Sequence, residues 1–103
     1  MKAYLKGIDK EYEIPEGESI VGRHNQNSIA DIQIQEFGME NISRFHCRIY
    51  NDGNNLDIKD EDSKNGTFIN EKRIEKKSSL EHQDTLTLGN VELKIKIKQR
   101  LFG

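Results

Sequence analysis

Residues 91–98 read Val-Glu-Leu-Lys-Ile-Lys-Ile-Lys, which is the clearest alternation of apolar and polar side chains in the chain. Successive side chains of a β-strand point to opposite faces of a sheet, so this alternation indicates a strand with one buried and one solvated face. Shorter alternating runs occur at residues 32–35, 47–50, 56–59 and 85–88. No stretch repeats the apolar spacing of an amphipathic helix over three turns. The sequence therefore predicts an all-β fold.

Turn-forming residues separate these runs. The sequence has Pro-Glu-Gly at 15–17, Asn-Asp-Gly at 51–53, Asn-Gly at 65–66 and Gly-Asn at 89–90. Short strands with a turn about every 8 to 12 residues are typical of a β-sandwich or a β-barrel. In such a scaffold, we expect the residues that carry function to lie in loops at one end.

Composition limits the functions that the chain can have. Its 103 residues fit one domain, and Leu, Ile, Val and Phe make up about a quarter of them, enough for a folded core. The net charge of −2 gives no electrostatic case for nucleic-acid binding. Cys47 is the sole cysteine, which suits a reducing compartment, and no apolar run approaches the length of a membrane span. We expect a cytoplasmic domain without membrane contact, either a monomer or one domain of a larger protein.

Polar residues cluster in three segments where predicted strands start or stop: Gly22-Arg23, residues 43–46 (Ser-Arg-Phe-His) and residues 63–70 (Ser-Lys-Asn-Gly-Thr-Phe-Ile-Asn). Arginine can donate two parallel hydrogen bonds to a phosphate, and serine can donate its hydroxyl. Taken alone, Arg23 is better explained as a surface arginine paired with Asp or Glu. Taken alone, Asn-Gly at 65–66 is better explained as a hairpin turn.

His46 follows Ser43 by three residues, a spacing that could suggest a nucleophile and its base. No strained serine turn or orienting acid accompanies the pair, so a structural role for His46 is favoured. His24, His46, His82 and Cys47 lack the spacing of metal ligands, and we expect neither a metal site nor a cofactor.

The order Gly22-Arg23, Ser43-x-x-His46 and Asn65-Gly66 resembles the pattern of the forkhead-associated (FHA) domain, a phosphothreonine-binding module. The resemblance runs from about residue 18 to residue 97, and includes Asp-Thr-Leu-Thr-Leu-Gly at 84–89. It implies that residues 1–103 form a single two-sheet β-sandwich of about eleven short strands, with ligand loops clustered at one end.

The resemblance also implies a role for each motif residue. Phosphate-binding roles fall to Arg23, Ser43, Arg44 and Lys64, and Asn65 would hold the main chain of the peptide. Structural support falls to Gly22, His46, Gly66, Thr67 and Asn70. The implied function is recruitment of proteins that carry phosphothreonine in kinase-dependent signalling, without enzymatic activity. The alternative is a protein-interaction or assembly domain that does not depend on phosphorylation.

Some positions depart from the family pattern. Glu71 and Gln83 stand where glycine is common, which predicts altered turns. The connection from Arg23 to Ser43 is longer than usual and could recruit peptide side chains or block the groove. Lysines at 94, 96 and 98, with Arg100, are interpreted as the solvent-exposed face of a strand. We also expect these lysines to protect an edge strand from pairing with another chain.

Overall fold

The computed structural model describes residues 1–99, and these form eleven strands and one 3-10 turn. Arg100 of the basic run lies outside the described residues. The strands are β1 (Lys2–Lys6), β2 (Glu11–Glu13), β3 (Gly17–Arg23), β4 (Ile32–Ile34), β5 (Cys47–Asn51), β6 (Leu56–Asp60), β7 (Thr67–Ile69), β8 (Lys72–Arg73), β9 (Ser78–Leu80), β10 (Thr85–Leu88) and β11 (Val91–Lys98). The 3-10 turn spans Met39–Asn41, between β4 and β5.

The strands form two sheets, which confirms the predicted all-β sandwich. The six-stranded sheet has the order β2-β1-β11-β10-β7-β8, and the five-stranded sheet has the order β4-β3-β5-β6-β9. Paired strands run antiparallel, except that β3 and β4 are parallel. The alternation at residues 91–98 has the expected effect, because Val91, Leu93 and Ile95 are buried while the residues between them face outward.

The core lies between the two sheets. Ile49 and Ile58 from one sheet and Leu88 and Ile95 from the other are fully buried in one apolar cluster. Each such side chain contributes about 1.5–3 kcal/mol through burial. Cys47 belongs to the same cluster, and burial raises the pKa of its thiol, so this cysteine is a packing residue without nucleophilic character.

The structure changes the explanation for the basic run. β11 lies between β1 and β10 and is a central strand of its sheet. Its lysines therefore cannot protect an unpaired edge, and that part of the sequence interpretation is wrong. They do lie on the solvent-facing side of the strand, as the alternation predicts.

The prediction of altered turns at Glu71 and Gln83 is also wrong. Both residues have the left-handed backbone that glycine adopts freely, with φ of 73° and 76°. Tertiary hydrogen bonds hold this geometry: the Asn70 amide donates to Asp84, and the Thr85 N–H donates to the Asn70 side-chain oxygen. The turns keep a conformation typical of glycine although longer side chains occupy them.

Tyr12 of β2 fixes the start of the connection between β4 and β5. Its hydroxyl donates to Glu36 at 2.7 Å and accepts the Gln35 N–H at 3.0 Å. Burial raises the pKa of Tyr12 to about 12, supported by the neighbouring Glu36 carboxylate. A contact between the two sheets therefore anchors the loop that carries Ser43.

Candidate functional site

The three polar segments meet at one end of the sandwich. The Arg23 N–H donates to the carbonyl of Ser43 at 3.1 Å, which joins the end of β3 to the β4–β5 loop. The Lys64 N–H donates to the Ser43 hydroxyl oxygen at 3.0 Å, which joins that loop to the β6–β7 loop. The Gly66 carbonyl accepts the Gly89 N–H from the β10–β11 turn at 3.1 Å. Segments far apart in sequence thus form one continuous surface.

Gly22 permits the close approach of β3 and the β4–β5 loop. A Cβ atom at this position would collide with the carbonyl group of Arg44. This close approach allows two backbone hydrogen bonds on either side of Gly22. The Arg23 N–H donates to the Ser43 carbonyl, and the His46 N–H donates to the Val21 carbonyl at 2.8 Å. The sequence interpretation of Gly22 as a structural support agrees with this contact.

His46 links two of the loops through its side chain. Its Nδ1 accepts the Ser43 N–H at 3.0 Å, and its Nε2 lies 2.8 Å from the Gly66 carbonyl oxygen, to which it donates. The side chain is fully buried, and this burial holds its pKa below the usual value despite the Gly66 carbonyl and the Asp60 carboxylate. Both nitrogens are occupied by backbone groups, so His46 is not a base for the Ser43 hydroxyl.

Arg23 and Ser43 keep donors free for a ligand. One guanidinium nitrogen of Arg23 donates to the Ile42 carbonyl at 3.0 Å, which fixes the side chain next to Ser43. Because the Ser43 oxygen accepts the Lys64 N–H, its own hydroxyl hydrogen remains to donate. Within residues 1–99, none of Arg23, Arg44 and Lys64 has a carboxylate within 4.0 Å. The alternative of an ordinary arginine ion pair is therefore not observed for Arg23.

Asn65 is held at the same surface. Its side-chain N–H₂ donates to the Asn41 carbonyl at 2.9 Å. In the part of the chain that the structure describes, this leaves a second N–H and the side-chain oxygen without partners. One side chain can therefore both donate to and accept from an extended backbone. Asn70, by contrast, braces Asp84 at the far end of β7 and does not join this surface.

Asp60 organises the β6–β7 loop, and sequence reasoning missed it. Its carboxylate accepts the hydroxyls of Ser63 and Thr67, each at 2.6 Å, and the Ser63 N–H at 3.0 Å. Burial alone would raise its pKa, but these hydrogen bonds outweigh that effect and hold the pKa below the usual value. The signal in the sequence was the short spacing between Asp60 and Ser63, which suits a side-chain-capped turn.

A cleft of about 500 Å³ opens beside Arg44. Residues 25–29 of the β3–β4 loop form one wall, and Arg44 and Phe45 form the other. Ile29 is 82% exposed and Phe45 is 43% exposed, so two large apolar side chains are accessible to a ligand at this cleft. The connection between β3 and β4 therefore lines a groove rather than filling it.

Other kinds of site find no support within residues 1–99. No group of three or more His, Cys, Asp or Glu residues is arranged to hold a metal ion. In the same range, the chain has no helix that is long and apolar enough to cross a membrane.

Comparison with known proteins gives the family. The FHA domain family model matches residues 19–89, a range that contains all three polar segments. The chain belongs to the FHA domain family. FHA domains are binding modules and not enzymes, and the eleven-strand sandwich seen here is their fold.

Similar proteins extend this comparison. The ABC transporter ATP-binding/permease protein Rv1747 of Mycobacterium tuberculosis is 33% identical over 82 residues, which cover 79% of this chain and 9% of that protein. An FHA domain solved in work on phosphothreonine-dependent FHA interactions has a TM-score of 0.83 at 26% identity, covering 97% of this chain and all of that chain. EmbR of Mycobacterium tuberculosis, solved with a low-affinity phosphopeptide, has a TM-score of 0.78 at 27% identity, covering 99% of this chain and 26% of EmbR.

Proposed function

We propose that this FHA domain binds proteins that carry phosphothreonine and recruits them in kinase-dependent signalling. The observation that carries the proposal is the pair Arg23 and Ser43. Within residues 1–99, the Arg23 guanidinium has no carboxylate partner, and it is fixed beside a hydroxyl whose hydrogen is free to donate. A phosphate dianion accepts several hydrogen bonds and suits such a pair of donors. FHA domains of similar structure that bind phosphopeptides add support.

The roles of the other residues follow from their positions. Arg44 and Lys64 add positive charge around the phosphate, because both side chains are exposed and neither has a carboxylate partner within residues 1–99. Asn65 orients the peptide by donating to and accepting from its main chain. Gly22, His46, Gly66 and Thr67 hold the loops in place.

The cleft beside Arg44 would receive a side chain that flanks the phosphothreonine. Ile29 and Phe45 offer apolar contacts at its mouth, and Arg44 offers one positive charge. We infer a preference for peptides with a large apolar side chain near the phosphothreonine.

Cys47 is a free thiol, which is consistent with a cytoplasmic location.

Calorimetry with a phosphothreonine peptide library would test the function. Each peptide is paired with its unphosphorylated form and with a phosphoserine form. Binding of the phosphothreonine form should weaken as salt rises and as pH falls below about 6, where the phosphate loses its second charge. Equal affinity for phosphorylated and unphosphorylated peptides would contradict the proposal.

A further inference from the structure

The exposed face of the six-stranded sheet carries a group of lysines that we name the lysine strip: Lys2, Lys6, Lys94, Lys96 and Lys98. The strip lies on two central strands, β1 and β11. Lys2 stands directly opposite Lys98, and Lys6 stands directly opposite Lys94. Residues opposite each other on paired strands share a face, so the five ammonium groups lie on one surface of an otherwise acidic chain.

Few negative groups neutralise this strip. Lys6 lies 3.9 Å from the Glu11 carboxylate, and within residues 1–99 no other lysine of the strip has a carboxylate within 4.0 Å. Lys94 and Lys96 instead reach neutral oxygens of Thr85 and Gln83, at 3.1 Å and 3.4 Å. Like charges placed directly opposite each other on neighbouring strands destabilise a sheet. The arrangement therefore costs stability, and edge protection does not explain it because both strands are central.

We propose that the lysine strip is a docking surface for an acidic, extended polypeptide segment of a partner protein. Alternate residues along β11 are spaced by about 6.8 Å, which is also the spacing of alternate side chains in an extended peptide. A segment with acidic residues at every second position would place one carboxylate near each ammonium group of β11. This surface is separate from the phosphothreonine site, because the site lies in the loops at the end of the sandwich.

The borders of the strip favour a narrow polypeptide over a membrane or a nucleic acid. Glu11 and Glu13 flank it on β2, and Glu92 lies on the same face near the start of β11. A membrane surface or a long nucleic acid carries negative charge over a wider area and would meet these carboxylates. A single extended chain over β1 and residues 94–98 of β11, two strands about 5 Å apart, avoids Glu92 and lies beside Glu11 and Glu13 rather than over them.

Fluorescence anisotropy at low salt would test the docking surface with a labelled peptide of alternating glutamate and serine. The strip variant carries Lys94→Gln, Lys96→Gln and Lys98→Gln. The control variant carries Lys59→Gln, Lys72→Gln and Lys76→Gln, which remove the same charge from exposed lysines elsewhere. We expect about tenfold weaker binding for the strip variant and a change of less than about twofold for the control. Arg23→Ala should bind this peptide like the unmodified domain, which separates the result from the phosphothreonine site.

Three outcomes would overturn the proposal. One is equal weakening in both triple variants, and another is equal binding of a glutamine–serine peptide. The third is tighter binding of an oligouridine RNA or of phosphatidylserine vesicles than of the acidic peptide. Amide chemical shifts give a further check, because the acidic peptide should move signals of β1 and β11 and leave the loop residues Ser43 and Asn65 unchanged.

Discussion

Replacing Arg23 with alanine should remove phosphopeptide binding while leaving the domain folded. A guanidinium that grips phosphate through two charge-assisted hydrogen bonds contributes about 1.5–3 kcal/mol for each bond. Loss of both corresponds to a decrease in affinity of at least about 100-fold. Among residues 1–99, the side chain makes one hydrogen bond, to the Ile42 carbonyl. Its loss costs about 1 kcal/mol of stability, or about 4–8 °C in melting temperature.

Two further variants sharpen this experiment. Arg23→Lys keeps the charge but loses the planar pair of donors, so its affinity should fall by about tenfold, less than in Arg23→Ala. Lys72→Ala is the control, because Lys72 is exposed on β8 and, within residues 1–99, its side chain makes no hydrogen bond or ion pair with the three loops. Its affinity should change by less than about twofold.

Calorimetry measures the affinities, and thermal unfolding confirms that each variant is folded. The reasoning fails if Arg23→Ala binds the phosphorylated peptide within about threefold of the unmodified domain. It also fails if Lys72→Ala loses as much affinity as Arg23→Ala, since affinity would then depend on the net charge of the domain and not on a specific contact of Arg23.

Three other predictions concern the scaffold. Burial lowers the pKa of His46, so the unfolded state binds a proton at a higher pH than the folded state does. The free energy of unfolding should therefore be at its full value above about pH 6.5 and decrease as the pH falls below it. Urea titrations at several pH values should show this decrease for the unmodified domain and not for His46→Gln. Gly22→Ala should cost about 2–3 kcal/mol and weaken phosphopeptide binding, because its Cβ would displace the Arg44 backbone; unchanged unfolding and affinity would contradict the contact. Glu71→Gly and Gln83→Gly should each raise stability by about 0.5–1 kcal/mol in denaturant unfolding, whereas Glu75→Gly, at a residue without positive φ, should not.

The sequence predicts those strands that have one face in the core and the other face in solvent, because their apolar and polar residues alternate. The alternation at residues 91–98 and 56–59 corresponds to β11 and β6, each with a buried side and an exposed side. It does not reveal β8, since both of its residues are exposed and only pairing with β7 makes them a strand. Local pattern therefore finds strands that bury one face, and misses a short edge strand defined by its partner.

The same limit applies to the site. Motif residues such as Arg23 and Ser43 could be identified because a guanidinium and a hydroxyl can donate to phosphate whatever the fold around them. For Asp60 the sequence offers only its short spacing to Ser63, because its full role depends on the three hydrogen bonds that it accepts after the β6–β7 loop has folded. The turns at Glu71 and Gln83 were mispredicted for a related reason, since long-range hydrogen bonds impose a backbone that the residues themselves disfavour.

The loops are ordered before any ligand arrives. Three of the proposed ligand residues are held by a backbone group: Arg23 by Ile42, Ser43 by Lys64, and Asn65 by Asn41. Folding has therefore already restricted these side chains, and binding should require little further loss of conformational entropy. Residues that never touch the ligand then contribute to affinity by keeping these donors in place. Loss of the bridge that His46 makes between Ser43 and Gly66 should weaken binding mainly through faster dissociation, because the donors would no longer be held together.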